Sequence, residues 1–252
     1  MKQARVLIKF VLFFSLTFGI YSLWFGVLFC RSQKSRLRLR EFIFRNWARG
    51  FARISRARIE IVGVPPRPPF LLVSNHLSYF DIAALRSIVN GVFVAKAEIE
   101  SWPIAGTMVR NMGMIFVNRE QKRDIPRAGA EMMAALARGE GVIIFAEGTT
   151  SDGREVLPFK SSFFEFAATN EIPVYFASVT YKTRDGELPA SEAICWWREE
   201  EGFLTHLFKF FALSRFSCTV TFGAAPIICR NRKDLANELW RAVNQQFVPV
   251  DS

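Results

Sequence analysis

The sequence predicts an α/β protein: a mixed, mostly parallel central sheet covered by helices, preceded by an N-terminal membrane-anchoring helix and an amphipathic helix. Three observations carry that expectation. Between residues 70 and 179 short apolar runs alternate with helical patterns, the signature of a sheet with helices on both faces. Half of the 252 residues are hydrophobic, enough for one sizeable core. Ahead of that core stands a long uncharged stretch followed by a strongly basic one.

The uncharged stretch runs from Phe10 to Cys30, FVLFFSLTFGIYSLWFGVLFC, 21 residues. At about 1.5 Å of rise per residue it matches a hydrocarbon core of roughly 30 Å. A cleaved signal peptide is the alternative, but its apolar centre is usually about 7 to 15 residues long and ends in a small-x-small site, which is missing here. Residues 31–58 then mix arginines with Phe42, Ile43, Phe44, Trp47, Phe51 and Ile54 at helical spacing. An interfacial helix on anionic headgroups and a helix packed on the following domain share that periodicity, and both readings stay open. Basic residues flank the apolar run on both sides with an excess after it, which predicts a cell-membrane protein with its folded domain on the cytoplasmic side.

VPPRPPF at 64–70 marks a boundary, because prolines remove ladder donors. It divides an anchoring segment, 1–62, from a folded domain, 63–252, with a strand RIEIV (58–62) just before it. The expected strands are then FLLVS (70–74), VFVAK (92–96), MIFV (114–117), VIIF (142–145), PVYFASV (173–179) and SCTVTFG (217–223). The expected helices cover 79–89, 103–112, 125–139, 161–170, the apolar 201–216 and a closing 232–247.

The net charge of +10 sits in the arm: residues 1–60 hold 13 Lys and Arg against Glu41 and Glu60, and the remainder holds 20 against 21 acids. A nucleic-acid binder carries its basic stripe on the folded domain, so nucleic acid is not an expected partner. Membrane phospholipids are. Four cysteines without a CxxC pair and only two histidines offer no tetrahedral zinc set.

His76 and Asp81 are the candidate chemistry. His76 follows the FLLVS strand, and the acid comes five residues later in NHLSYFD (75–81). Asp81 has an ordinary reading as the third residue behind a Ser78 helix cap. It has a second one as the partner of an imidazole: a carboxylate on one ring nitrogen fixes the tautomer and leaves the other nitrogen as a base. Histidine suits proton removal from a weakly acidic alcohol at neutral pH. His206, in FLTHLFKFF, has no acid spaced to use it and reads as a packed or interfacial residue.

Four blocks in order resemble the membrane-bound glycerolipid acyltransferases of the 1-acyl-sn-glycerol-3-phosphate acyltransferase type. They are NHLSYFD (75–81), similar to that family's NHx4D block, GMIFVNR (113–119), FAEGTTSDG (145–153) and IPVYFASV (172–179). The resemblance implies His76 as general base and Asp81 as its orienting acid. It implies substrate binding by Asn75, Arg119, Glu147, Gly148 and Thr149, with Arg119 on an acceptor phosphate. It implies no bound cofactor and no metal. The co-substrate would be acyl-CoA or an acyl carrier protein thioester, and the acceptor a lysolipid hydroxyl. Physical reasoning adds that the amides of 148–151 suit an anion. Ala146, Thr150 and Phe176 depart from the family pattern. Thr150 stands where phosphatidic-acid-forming enzymes often carry an arginine, and Lys160 is either its replacement or a surface lysine. The extended 145–162 stretch also resembles the branch that acylates lyso-ornithine lipid, whose headgroup is an amino acid.

Overall fold

The computed structural model describes residues 2–101, 105–118, 123–198 and 200–250. Its seven strands are β1 (Ala57–Val62), β2 (Phe70–Ser74), β3 (Val92–Lys96), β4 (Ile115–Val117), β5 (Gly141–Phe145), β6 (Val174–Thr183) and β7 (Phe216–Phe222). They form one sheet in the order β1-β7-β6-β2-β5-β3-β4. Every pairing is parallel except β6 with β7.

The strand compositions explain these places. FLLVS of β2 and GVIIF of β5 are buried at every residue, as central parallel strands covered on both faces require. FSCTVTF of β7 alternates buried and half-buried residues, the pattern of a strand with one wetter face. β1 pairs with β7, so the sheet begins at Ala57, six residues ahead of the boundary expected at 63. The Pro-rich stretch connects two strands of a single sheet.

The helices are α1 (Lys2–Leu23), α2 (Gln33–Ser55), α3 (Phe80–Ile88), α4 (Ala105–Asn111), α5 (Asp124–Ala137), α6 (Glu165–Thr169), α7 (Ala190–Ala193), α8 (Phe203–Ala212) and α9 (Arg232–Gln246). The helix expected over 161–170 starts as a 3-10 turn at Ser161–Phe164. The long apolar run likewise leaves α1 for a 3-10 segment, Trp24–Phe29.

α1 and α2 are antiparallel partners. Phe13 meets Phe51 with ring centroids 4.6 Å apart, and the Trp47 indole N–H donates to Thr17 Oγ1 at 3.2 Å. Gly50 permits the close approach, since a Cβ there would stand 2.6 Å from the Leu16 side chain. Ile43, Phe44, Trp47 and Phe51 of α2 are buried, so the apolar stripe faces protein along these positions. Phe42 stays exposed. Ion pairs complete the docking: Arg86 on α3 meets Glu41 at 2.9 Å, Glu140 is held by Arg40 and by Arg138, and Arg45 donates to the Ile88 carbonyl at 2.9 Å.

α1 leaves much of its apolar surface open, with Leu7, Ile8, Val11, Phe14 and Phe18 exposed. Lys2–Gly26 is long and apolar enough to cross a membrane by length and composition. Its first half is nonetheless tied to the domain: Lys9 Nζ donates to the carbonyls of Ser55 and Leu213, and Phe10 stacks on Phe208 of α8 at 4.7 Å.

Candidate active site

β2 is where the sheet order reverses: the chain leaves it for β3 on one side, and β6 later joins on the other. Open α/β sheets hold ligands beyond the carboxyl ends of strands at such a switch point. Ser74 at the end of β2 is in register with Phe145 at the end of β5, so the loops that follow, carrying His76 and Glu147, start side by side.

His76 Nδ1 and Asp81 Oδ2 are 2.7 Å apart. A carboxylate only accepts, so Nδ1 carries the proton and Nε2 keeps its lone pair. The same Asp81 oxygen accepts the backbone N–H groups of Leu77 at 2.7 Å and Ser78 at 2.9 Å, and Oδ1 accepts the Tyr181 hydroxyl. Asp81 is fully buried, while the His76 side chain keeps 19% of its surface open. The imidazole lies flat on Phe145, with centroids 3.9 Å apart and planes 10° apart, which fixes the ring plane.

The two readings of Asp81 coexist. It reaches back to the Ser78 N–H as a capping-box acid does, and it orients His76 with the same oxygen. The helix starts one residue later than expected, with Tyr79 at the cap position and making no side-chain cap bond, while the Ser78 Oγ accepts from Phe80 N at 3.3 Å as a capping hydroxyl does.

Glu147 is 2% exposed and its Oε1 accepts the His76 backbone N–H at 3.2 Å. Burial pushes its carboxyl up to about 9, and the nearby Asp81 charge adds to the rise, against the His76 and Leu157 backbone donors. It is therefore a neutral acid at pH 7. Because the folded value lies above the ordinary 4.5, stability from this group is full below pH 4.5 and is lost as pH rises to about 9. Glu147→Gln, isosteric and uncharged, removes that slope of about 1.4 kcal/mol per pH unit. Unfolding followed from pH 5 to pH 9 will show the variant gaining on the parent with pH. Parallel curves would mean the acid is ionised.

The other expected binding residues are placed differently. Asn75 is buried, its amide donating to Val179 O at 2.9 Å and accepting from Val179 N at 2.7 Å. It ties the His76 loop to β6. Gly148 has φ 79°, a left-handed turn that glycine adopts without strain, and its N–H goes to Phe145 O at 3.2 Å. Ser151 N–H is likewise used, on His76 O at 3.0 Å, so two of the amides expected to meet an anion bind protein instead. Thr149 is exposed on the loop, and Thr150 donates inward to Trp196 O. Lys160 is exposed, with its backbone N–H on Ala146 O at 2.9 Å, next to the Glu147 turn. Arg119 lies outside the described residues. The strand before it, β4, is three places along from β2, about 14 Å by ordinary strand spacing.

Tyr181 was not among the expected site residues. Burial and the Asp81 charge hold its phenol well above its ordinary value, so it stays a donor. Its only sequence signal is its place two residues beyond the IPVYFASV block, on the β6 face that Val179 shares by alternation. His206 gains partners too: Tyr79 OH lies 3.2 Å from its Nδ1, and Cys195 O lies 3.1 Å from Nε2. Burial lowers its basicity, and it acts as a neutral link from α8 to the loop behind His76. Among the described residues no group of three His, Cys, Asp or Glu is placed to hold a metal ion.

A buried acid hydrogen-bonded to a partly open imidazole stands at the switch point of an α/β sheet, where such folds hold ligands. The sequence model of the family described as Acyltransferase matches residues 58–181. A lyso-ornithine lipid O-acyltransferase of Rhizobium meliloti (strain 1021) is 33% identical over 84% of this chain and 76% of its own. A 1-acyl-sn-glycerol-3-phosphate acyltransferase of Neisseria gonorrhoeae is 33% identical over 71% of each. The crystal structure of the 1-acyl-sn-glycerophosphate acyltransferase of Thermotoga maritima superposes over the whole of both chains with a TM-score of 0.70 at 19% identity, which bears on the fold. The chain belongs to this acyltransferase family, and it is a membrane-associated enzyme of acyl transfer to lysolipids.

Proposed function

We propose that His76 is the general base of an O-acyltransferase that moves a fatty acyl group from a thioester, on coenzyme A or an acyl carrier protein, to a lysolipid hydroxyl. The observation that carries this reading is the 2.7 Å contact of Asp81 with Nδ1, which leaves Nε2 as the open nitrogen. Nε2 takes the hydroxyl proton as the oxygen attacks the thioester carbonyl. The C–S bond breaks, and the imidazolium returns the proton to the departing thiolate. The thioester is already activated, so positioning and base catalysis supply most of what the step needs. No covalent acyl-enzyme and no bound cofactor enter.

Asp81 holds the tautomer and balances the transient imidazolium charge, with Tyr181 and two backbone amides behind it. Glu147 holds the His76 backbone, and Arg119 and Lys160 are the cations proposed for the acceptor headgroup. The acceptor is 1-acyl-sn-glycerol-3-phosphate on the family pattern, giving phosphatidic acid for phospholipid biosynthesis. Thr150, turned inward onto Trp196 where an arginine often stands, favours lyso-ornithine lipid as the second reading. Residues 1–62 serve as the membrane anchor, and the excess of basic residues after the apolar run sets the domain on the cytoplasmic side.

The test is acyl transfer by the purified chain with each lysolipid, offered acyl-CoA and acyl carrier protein thioester separately. Turnover of lysophosphatidate at least about tenfold above lyso-ornithine lipid, roughly 1.4 kcal/mol in the transition state, supports the first reading. The opposite ratio supports the second, and no transfer to either contradicts both.

A further inference from the structure

A cleft of about 460 Å³ opens between the first half of α1 and the end of α2. Its cations are Arg5, Lys9, Arg53 and Arg56, and its apolar wall includes Ile8 and Leu12. Four cations in one small cleft need a reason.

Two of them are partly satisfied. Lys9 is 4% exposed and caps the ends of α2 and α8 through the Ser55 and Leu213 carbonyls. Arg5 donates to Ala212 O at 3.3 Å and stands 3.8 Å from Glu187. The helix ends and Glu187 offset roughly two of the four charges, since a helix terminus carries about half a unit. Arg53 and Arg56 remain: both are exposed, and among the described residues neither has an acidic partner. Arg56 also sits at φ 58°, where a side chain other than glycine is uncommon, as the residue that ends α2.

The wall beside this charge is apolar in a particular direction. Ala4, Ile8 and Leu12 fall four apart, so they form one ridge along α1. Leu16, the next residue of that ridge, packs on Gly50 of α2, so the open wall runs from Ala4 to Leu12. A ligand fitting both halves has an anionic head and an aliphatic tail.

We infer that the cleft is a seat for one anionic phospholipid, its phosphate held by Arg53 and Arg56 above Lys9 and its acyl chain laid along Ile8 and Leu12. The seat is separate from the acyl-transfer site, and it is independent of which lysolipid is acylated. It would fix the height of the domain on the leaflet by one ordered headgroup, where a diffuse basic stripe fixes none.

The experiment compares flotation of the purified full-length chain with vesicles of phosphatidylcholine and with the same vesicles containing phosphatidylglycerol. Arg53→Gln with Arg56→Asn removes both charges while giving position 56 a residue that tolerates positive φ. Lys34→Gln with Arg38→Gln removes the same charge from the far end of α2, where both side chains are exposed. A diffuse surface charge acts through every basic residue within a Debye length of the leaflet, about 8 Å, so for a helix lying flat on the surface it predicts losses of the same order from the two ends. The seat predicts a loss of at least about thirtyfold in phosphatidylglycerol-dependent binding for the first pair and less than about fivefold for the second. Acyl transfer in detergent stays within about twofold for both, reporting an intact fold. If the first pair is insoluble, the single variants R53Q and R56N carry the test, each losing about fivefold. Equal losses from the two pairs, or no loss from the first, would overturn the seat. So would displacement by inorganic phosphate at matched ionic strength, which would make it a site for free phosphate.

Discussion

Replacing His76 with alanine lowers the turnover number for acyl transfer by about 10²- to 10⁴-fold, the range that general-base catalysis contributes. The KM for the lysolipid changes little, because no expected headgroup cation is touched; a loss confined to kcat is the mark of an interaction made in the transition state. The fold survives, since the side chain is partly open and its main burial is the flat stack on Phe145. His76→Gln, which keeps a polar side chain of similar reach but no usable base, falls by the same order. Steady-state rates with a saturating thioester check this, and a variant with turnover within about fivefold of the parent would assign the base elsewhere.

Arg86→Ala has the largest expected effect on stability. The guanidinium is 1% exposed; it forms an ion pair with Glu41 on α2 at 2.9 Å and donates to the Gly91 carbonyl at 2.6 Å. Burial lowers its basicity, and the Glu41 carboxylate works against that shift. Glu41 keeps Arg40 at 3.8 Å and part of its surface open, so the cost falls somewhat below the roughly 3–5 kcal/mol of a fully buried pair, and the lost partner of the Gly91 carbonyl adds to it. The loss is local before it is global. Glu41 and Arg45 anchor α2 to α3, so the variant exposes the α2 arginines to trypsin at protease levels that leave the parent intact. Denaturant unfolding in micelles together with timed proteolysis measures both effects. The pair Glu41→Gln with Arg86→Met recovers part of the loss, because it leaves no unpaired charge.

Much of the sheet was legible because central strands are apolar at every position. FLLVS and VFVAK coincide with β2 and β3, and the His76–Asp81 contact follows from five residues of local chain. Contacts made across the fold were not legible. Tyr181 reaches Asp81 from 100 residues away, and Tyr79 reaches His206 from 127. Neither pair has a spacing that sequence alone can recognise. The α2 stripe was ambiguous for a different reason: lipid and protein ask for the same 3.6-residue period, and only packing shows that Ile43, Phe44, Trp47 and Phe51 meet protein. Asn75 and Gly148 were expected to bind substrate from their place in motifs. The structure pairs the Asn75 amide with the Val179 backbone and the Gly148 N–H with Phe145 O, links that a motif does not announce.

The account rests on which nitrogen of His76 is bare. Nitrogen-15 NMR of the full chain in micelles reads this directly, because the sequence holds only two histidines and His76→Gln assigns the pair. At alkaline pH the account predicts a protonated Nδ1 and an unprotonated Nε2 for His76, with Asp81→Asn disturbing that preference. A resting ring with its proton on Nε2, or one exchanging evenly between the two tautomers, would contradict it.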